Sequence, residues 1–188
     1  MKYWIDTEFI EDGHTIDLIS LGIVAEDGRD NYWQNRDCQF SQANEWVQEH
    51  VIPHLEHLEC DSRMPSLWSK PPHRVKCDGP DVPSCPWRWR TQIRDELIRF
   101  CDPGRYGKPE FWGYYADYDW VALCQLFGRM IDLPKGWPMY CRDIKQWADE
   151  LGNPQLPCSG KGEHHALADA QWNRQAWEFL AGLGSDKN

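Results

Sequence analysis

The chain has 188 residues, of which 41% are hydrophobic and 13% aromatic, enough for a single compact domain with a sizeable core. Its 20 Lys and Arg residues against 30 Asp and Glu residues give a formal net charge of −10, which argues against bulk attraction to nucleic acid or to an anionic membrane. The chain shows no secretion signal and no run of ~18 uninterrupted apolar residues, so we expect a soluble cytoplasmic protein with no membrane partner. Its eight cysteines form no C-x-x-C pair, and reduced thiols are expected.

The first third of the chain predicts an antiparallel β-meander. Three runs rich in β-forming residues are separated by the turn dipeptides Asp12-Gly13 and Asp27-Gly28. An Asp-Gly pair between apolar stretches is a strong hairpin signal. We therefore expect strands near residues 2–9, 16–25 and 30–35.

A helix is predicted after the meander. Ser41 is a typical N-cap residue, and apolar residues recur at helical spacing until Pro53 interrupts the pattern. These residues are Trp46, Val47, Val51 and Ile52. The following segment, residues 61–94, holds six of the 13 prolines and a net charge of +4, so it is predicted to be mostly loop.

The remaining chain alternates helical patterns with one β-prone run. Helices are expected over residues 93–101, 121–128, 143–151 and about 165–180, with a strand at 110–115. Strands that come first and are followed by alternating helices and a strand indicate an α/β fold with a mixed central β-sheet flanked by helices.

Two acidic residues mark the first predicted strand. Asp6 and Glu8 are two positions apart, so both side chains leave the same face of the strand. About one D-x-E triplet is expected by chance in this composition, and a solvated strand face is the simplest alternative. The apolar neighbours favour a functional role, because acids in a central strand cost several kcal/mol unless they are paired or bound to metal.

A second pattern begins the last predicted helix. The frame His164-x-Ala166-x-x-Asp169 is expected by chance only about 0.04 times. Five residues at ~100° each would place the two side chains on different helix faces, so they converge only if His164 precedes the helix. Gly160 and Gly162 would allow this. An ordinary pair of helix N-terminal histidines is the alternative.

Two further acids lie where the 110–115 strand leads into a helix. Asp117 and Asp119 are both candidates for the helix N-cap. We expect one of them to cap the helix and the other to belong to the acidic site.

The order D-x-E, then D, then H-x-x-x-x-D resembles the DEDDh branch of 3′-to-5′ exonucleases, which have a ribonuclease H-like fold. Three segments make the resemblance closest to the polyadenylate-specific exoribonuclease AS group (RNase AS): D-T-E-F-I-E-D-G-H-T-I-D-L-I-S-L-G (6–22), Y-D-W-V-A-L-C-Q-L-F-G (118–128) and H-H-A-L-A-D-A (164–170). The resemblance covers most of the chain outside about 69–90. It implies one exonuclease domain over residues 1–188 with an insertion there.

The resemblance also implies residue roles. Asp6, Glu8, Asp119 and Asp169 would be catalytic residues that bind two divalent cations, Mg²⁺ or Mn²⁺, and His164 would be the general base. Asp119 is preferred over Asp117 because the aromatic-Asp pair of the family matches Tyr118-Asp119. All-oxygen ligation favours Mg²⁺ or Mn²⁺ over zinc.

The expected reaction is two-metal hydrolysis of single-stranded RNA from its 3′ end to nucleoside 5′-monophosphates, with adenylate-rich tails favoured by resemblance. Phe9 is expected to stack on the terminal base, or else to be a core residue of the strand. A homodimer is also implied by the resemblance.

The 69–90 insertion interleaves tryptophans with basic residues, as single-stranded nucleic-acid grooves do. A substrate-binding role is therefore predicted for Trp87, Arg88, Trp89 and Arg90. One alternative is a solvated loop anchored by its own tryptophans. Another is a zinc site, although its ligands match no common finger spacing; they would be His57, Cys60, His73, Cys77 and Cys85.

Two functional alternatives stay open. One is a DNA exonuclease of the same superfamily, since RNA is distinguished from DNA through contacts to the 2′-hydroxyl. The other is a non-catalytic RNA-binding or adaptor protein that retains the fold.

Overall fold

The computed structural model describes residues 1–58, 85–159 and 164–185. A six-stranded sheet in the order β4-β3-β2-β1-β5-β6 forms the centre of the fold. The strands are β1 (Lys2–Glu11), β2 (Ile16–Ala25), β3 (Asp30–Asn35), β4 (Trp87–Arg88), β5 (Glu110–Gly113) and β6 (Arg142–Asp143).

The sheet is mixed in direction. Strands β1, β2 and β3 pair antiparallel as the predicted meander, whereas β5 pairs parallel to β1, and β6 parallel to β5. The short strand β4 pairs parallel to β3 at the opposite edge. The predicted α/β class with a mixed central sheet flanked by helices is confirmed.

Six α-helices lie in the described part of the chain: α1 (Glu45–His50), α2 (Arg90–Phe100), α3 (Pro103–Tyr106), α4 (Asp117–Gln125), α5 (Ile144–Glu150) and α6 (Ala166–Ser185). None of them combines the length and the apolar character that crossing a membrane requires. The six cysteines in these ranges are not joined in disulfides.

The two faces of the sheet are covered by different helices. Alternate residues of β1 point to opposite faces, so Tyr3 packs in one cluster with Leu97 of α2 and Leu123 of α4. Trp4 packs in another cluster with Ile144 of α5 and Leu180 of α6. The central strand β1 is thereby buried on both faces.

The structure corrects one of the sequence predictions for the elements and adds regular structure at the end of a segment that was predicted to be mostly loop. Helix α1 is capped by Asn44, whose side chain accepts a hydrogen bond from the Val47 amide, and not by Ser41. The 61–94 segment is not all loop, since β4 and the start of α2 lie within it. Residues 59–84 of that segment lie outside the described residues.

Candidate active site

The site is built on the middle of β1. Asp6 and Glu8 pair with Gly22 and Ser20 of β2, and both lie on the face of the strand that Trp4 occupies. The register with β2 shifts directly after Glu8. Such irregularities re-aim side chains and are common beside active sites.

Helix α4 brings Asp119 to this strand. The Asp119 side chain is 5% exposed, and its Oδ1 accepts hydrogen bonds from the Thr7 amide at 2.9 Å and the Thr7 hydroxyl at 2.5 Å. Thr7 therefore fixes Asp119 against the strand residue between the two acids. Asp117 is exposed, and the prediction that one of the two acids caps the helix is wrong, because the N-cap is Ala116 and no side chain caps the helix.

Helix α6 is seated on the other side of β1 by close backbone contact. A Cβ atom on Gly22 would lie 2.2 Å from the carbonyl oxygen of Ala166, the first residue of α6. The buried Asn173 side chain donates a hydrogen bond to the Ile5 carbonyl oxygen at 2.8 Å. Glycine at position 22 and asparagine at 173 thus hold the start of α6 next to Asp6.

His164 precedes α6, as the spacing argument predicts. Its φ of 68° is in the left-handed region, which is uncommon for a residue with a side chain. Its backbone amide donates to Asp169 Oδ2 at 3.0 Å. This bond ties the backbone of the histidine to an acid of the helix. Gly160 and Gly162 lie outside the described residues.

Three carboxylates converge on one point. Ligand oxygens of Asp6, Glu8 and Asp169 all lie within 4.8 Å of one another. Asp119, whose Oδ1 accepts the hydrogen bonds from Thr7, is not a member of this trio. An all-carboxylate set suits Mg²⁺ or Mn²⁺ better than softer metals. The arrangement can hold a divalent cation.

Burial and mutual repulsion perturb these acids. Burial, followed by the neighbouring charges of Asp119, Glu8 and Asp169, holds the pKa of Asp6 well above its usual range. Burial and the charges of Asp169 and Asp119 raise the pKa of Glu8 to about 8. Burial also raises the pKa of Asp119 to about 7, although the hydrogen bonds from Thr7 oppose the shift.

Compensating cations are missing from the described part of the site. No Lys or Arg in residues 1–58, 85–159 or 164–185 forms an ion pair with Asp6, Glu8 or Asp119. Carboxylates that are crowded, partly buried and without such partners are destabilised as anions. Bound divalent cations would supply the missing charge.

A cavity opens beside these carboxylates. Its lining includes Asp6, His164 and Asp169, and also the aromatic side chains of Tyr114 and Trp172. The site is therefore reachable from solvent on the side of the histidine. A pocket with aromatic walls and acids at its base can receive a nucleotide.

Comparison with known proteins identifies a family for the chain. A family model described as the 3′-5′ exoribonuclease Rv2179c-like domain matches residues 1–181. The chain belongs to this family. Two relatives are the 3′-5′ exoribonuclease Rv2179c of Mycobacterium tuberculosis strain H37Rv and the 3′-5′ exoribonuclease MT2234.1 of strain CDC 1551. Each is 39% identical over 171 residues, which cover 91% of this chain and 88% of the relative.

A structural similarity is also found to Schizosaccharomyces pombe Pop2p in its Mg²⁺- and Mn²⁺-bound form. The identity is 12%, the TM-score is 0.47, and the match covers 96% of this chain and 81% of that chain.

In this member of the Rv2179c-like family, the residues that were predicted to contact substrate lie in different environments in the structure. Phe9 packs edge-to-face on Tyr118 with ring centroids 5.7 Å apart, and Tyr118 is 51% exposed. Phe9 follows Glu8 directly, so this aromatic pair lies next to the acids.

The structure corrects the prediction for Trp87. Its ring is 2% exposed and packs on Phe40, and its indole N–H donates to the carbonyl oxygens of Glu56 and His57. Such a ring cannot stack on RNA. The side chains of Arg88 and Arg90 form ion pairs with acids of the fold, while Trp89 is half-exposed.

The alternative zinc site falls mostly outside the described residues, which do not include Cys60, His73 or Cys77. Cys85 is buried in an apolar cluster with Phe40. Within the described ranges, the Asp6, Glu8 and Asp169 trio is the one group of three or more acids, histidines or cysteines with metal-binding geometry.

Sequence reasoning missed the residues that support the site. Thr7, Gly22 and Asn173 carry no catalytic motif, yet they fix Asp119 and the start of α6. A glycine inside a strand pattern was the available signal at position 22, because it often marks close backbone approach.

Proposed function

We propose that this chain is a metal-dependent exoribonuclease that removes nucleoside 5′-monophosphates from the 3′ end of single-stranded RNA. The observation that carries the proposal is the convergence of Asp6, Glu8 and Asp169 within 4.8 Å, with the backbone of His164 bonded to Asp169. Membership of the Rv2179c-like exoribonuclease family supports the reaction class.

Asp6, Glu8 and Asp169 would hold the divalent cation, and Asp119, fixed by Thr7, would complete the ligand set for a second one. When bound, the cations supply Lewis-acid stabilisation of the phosphodiester and lower the pKa of a ligated water. The carboxylates themselves fix the position of the cations and withdraw them from bulk solvent. The four acids therefore act as ligands.

His164 would accept the proton of the attacking water. The residue stands before the first turn of α6, and its amide bond to Asp169 holds it beside the acids. An imidazole at the mouth of a pocket can take a proton and return it to solvent, which is the role of a general base. Its loss should therefore slow the chemical step more than it weakens RNA binding.

The substrate preference is proposed on different grounds. Phe9 and Tyr118 offer exposed aromatic surface beside the acids, and base stacking on such surfaces contributes without reading the sequence. A preference for adenylate-rich tails rests on the resemblance to the polyadenylate-specific exoribonuclease AS group. The RNA assay below therefore includes both oligo(A) and a mixed sequence.

The proposal is tested with 5′-labelled and 3′-labelled oligo(A), mixed RNA and DNA of equal length, in Mg²⁺, Mn²⁺ or EDTA. We expect metal-dependent shortening of RNA from the 3′ end. The substitution His164→Ala should lower kcat by about 10²- to 10⁴-fold, with KM changed far less.

His14→Ala is the matched control, because His14 is an exposed turn histidine away from the acids. It should behave as wild type. Shortening of DNA alone would favour the DNA exonuclease alternative. RNA binding with no metal-dependent cleavage would favour the adaptor alternative and contradict the proposal.

A further inference from the structure

The ring of Trp46 lies against the ring of His164. The two ring centroids are 4.9 Å apart at an interplanar angle of 83°, which is an edge-to-face contact. Trp46 also stacks on His50, with centroids 5.1 Å apart at 14°. Because half of the Trp46 side chain is exposed, this ring is not simply a buried core residue.

Helix α1 holds Trp46 in a fixed place. Asn44 caps the helix at Val47, and the Gln48 side chain donates to the Ala43 carbonyl oxygen at 2.7 Å. Val47 is buried in an apolar cluster that anchors the helix to the fold. On the outer side, His50 Nδ1 donates to the Trp46 carbonyl oxygen at 3.0 Å. The ring that contacts His164 is thus itself well supported.

His164 depends on such support more than a helical residue would. It lies before α6 with φ at 68°, and its described hydrogen bond is made by the backbone amide. In the described ranges, no side chain or backbone group forms a hydrogen bond with its ring nitrogens, whereas Trp46 and His50 contact its ring. Ring packing is therefore what orients the imidazole there.

We infer that Trp46 is a positioning residue that holds the His164 imidazole in its working orientation. The inference rests on the proposed function, because it takes His164 as the base. Small displacements of a reacting group cost as much as about 100-fold in rate. Loss of a supporting ring that leaves the base in place should cost less.

The test compares steady-state RNA hydrolysis by three Trp46 variants. Trp46→Ala should lower kcat about tenfold while KM stays within about twofold. Trp46→Phe, which keeps an aromatic edge, should restore most of kcat. Trp46→Leu keeps apolar bulk without an aromatic ring and should behave like Trp46→Ala, which keeps the inference testable if the alanine variant folds poorly.

Phe179→Ala is the control, since Phe179 is a partly exposed aromatic residue of α6 with no place in the site. It should leave kcat and KM unchanged. In a His164→Ala background, Trp46→Ala should have no further effect, because the ring acts through the histidine.

Three results would overturn the inference. A raised KM with normal kcat would make Trp46 a surface for stacking a base, and an additive loss in the His164→Ala background would separate it from the histidine. Failure of the proposed function would give a different result. The wild-type protein would then not hydrolyse RNA, or the His164→Ala variant would be as active as the wild type. Normal activity of Trp46→Ala beside an impaired His164→Ala variant would refute the positioning role alone.

Discussion

The acidic site on β1 and the arginine-rich segment of β4 and α2 differ in whether their charged side chains have ion-pair partners. Arg88 pairs with Glu96 at 2.9 Å, and Arg90 pairs with Asp17 at 3.0 Å. Arg94 likewise pairs with its neighbour in α2. By contrast, Asp6 and Glu8 have no Lys or Arg partner among the described residues.

The difference separates structural charge from functional charge. The paired arginines join β4 and α2 to neighbouring elements, and acids of the fold largely neutralise their charge. The unpaired acids repel one another at a cost that folding alone does not require. Excess charge of one sign in a cleft is therefore the better guide to function here. The formal charge of −10 on the whole chain conceals it.

The largest expected effect comes from removing one acid of the site on β1. Asp6→Asn keeps the shape of the side chain and removes one charge, so RNA hydrolysis should fall about a thousandfold, or about 4 kcal/mol. The metal-free variant should nevertheless be more stable than wild type at alkaline pH, because the asparagine cannot become an anion beside Glu8 and Asp169. Rate assays and chemical denaturation in EDTA measure the two changes.

Asp117→Asn is the matched control for this substitution. Asp117 is exposed and lies two residues before Asp119, so it should change neither activity nor stability appreciably. If both variants lost activity equally, general charge and not the cluster would explain the effect.

The next effect concerns the arginine-rich segment, where two neighbouring tryptophans should differ. Trp87→Ala removes a ring that is 2% exposed and should lower the free energy of unfolding by about 3 kcal/mol. Trp89→Ala removes a half-exposed ring and should change it by less than about 1 kcal/mol. Denaturant melts measure both.

RNA affinity of the Trp89→Ala variant then tests what remains of the predicted groove. A weaker affinity with unchanged stability would support a contact with RNA at this position. Unchanged affinity would leave the described part of the arginine-rich segment with a structural role only.

The sequence predicts the meander and the last helix well because their signals are local. Runs of β-forming residues and Asp-Gly turns define β1, β2 and β3, and their predicted limits agree closely with the structure. The position of His164 before α6 follows from helical geometry alone. These features need no knowledge of distant contacts.

Tertiary contacts determine the features of the site and of the arginine-rich segment that the sequence alone did not predict. Trp87 lies among arginines in the sequence and was therefore predicted to stack on RNA. In the structure, the pairing of β4 with β3 buries it. The roles of Gly22 and Thr7 depend on α6 and α4, which lie more than 100 residues away in the chain. The contact between Trp46 and His164 is equally non-local.

The last expected effect is a pH dependence of stability in the metal-free protein. The pKa of Glu8 is raised to about 8 in the folded state. At pH values between the ordinary pKa of a glutamate and this raised value, the folded protein therefore binds more protons than the unfolded chain. Stability should therefore fall as pH rises from about 4.5 to about 8, by about 1 kcal/mol per pH unit.

Unfolding in EDTA across this pH range measures the trend. Added Mg²⁺ or Mn²⁺ should raise stability most at the alkaline end, where the acids are ionised and ready to bind. A stability that rises with pH in EDTA would mean that the acids are compensated in the folded protein.

Calorimetric titration of the metal-free protein with Mn²⁺ at pH 7 tests the central claim most directly. Uncompensated acids with raised pKa values should bind the ion and release protons, seen as a dependence of the binding heat on buffer ionisation enthalpy. Asp6→Asn should weaken this binding strongly, whereas Asp117→Asn should not. Absence of binding to wild type, or equal binding by the Asp6→Asn variant, would contradict the assignment of these acids to a metal site.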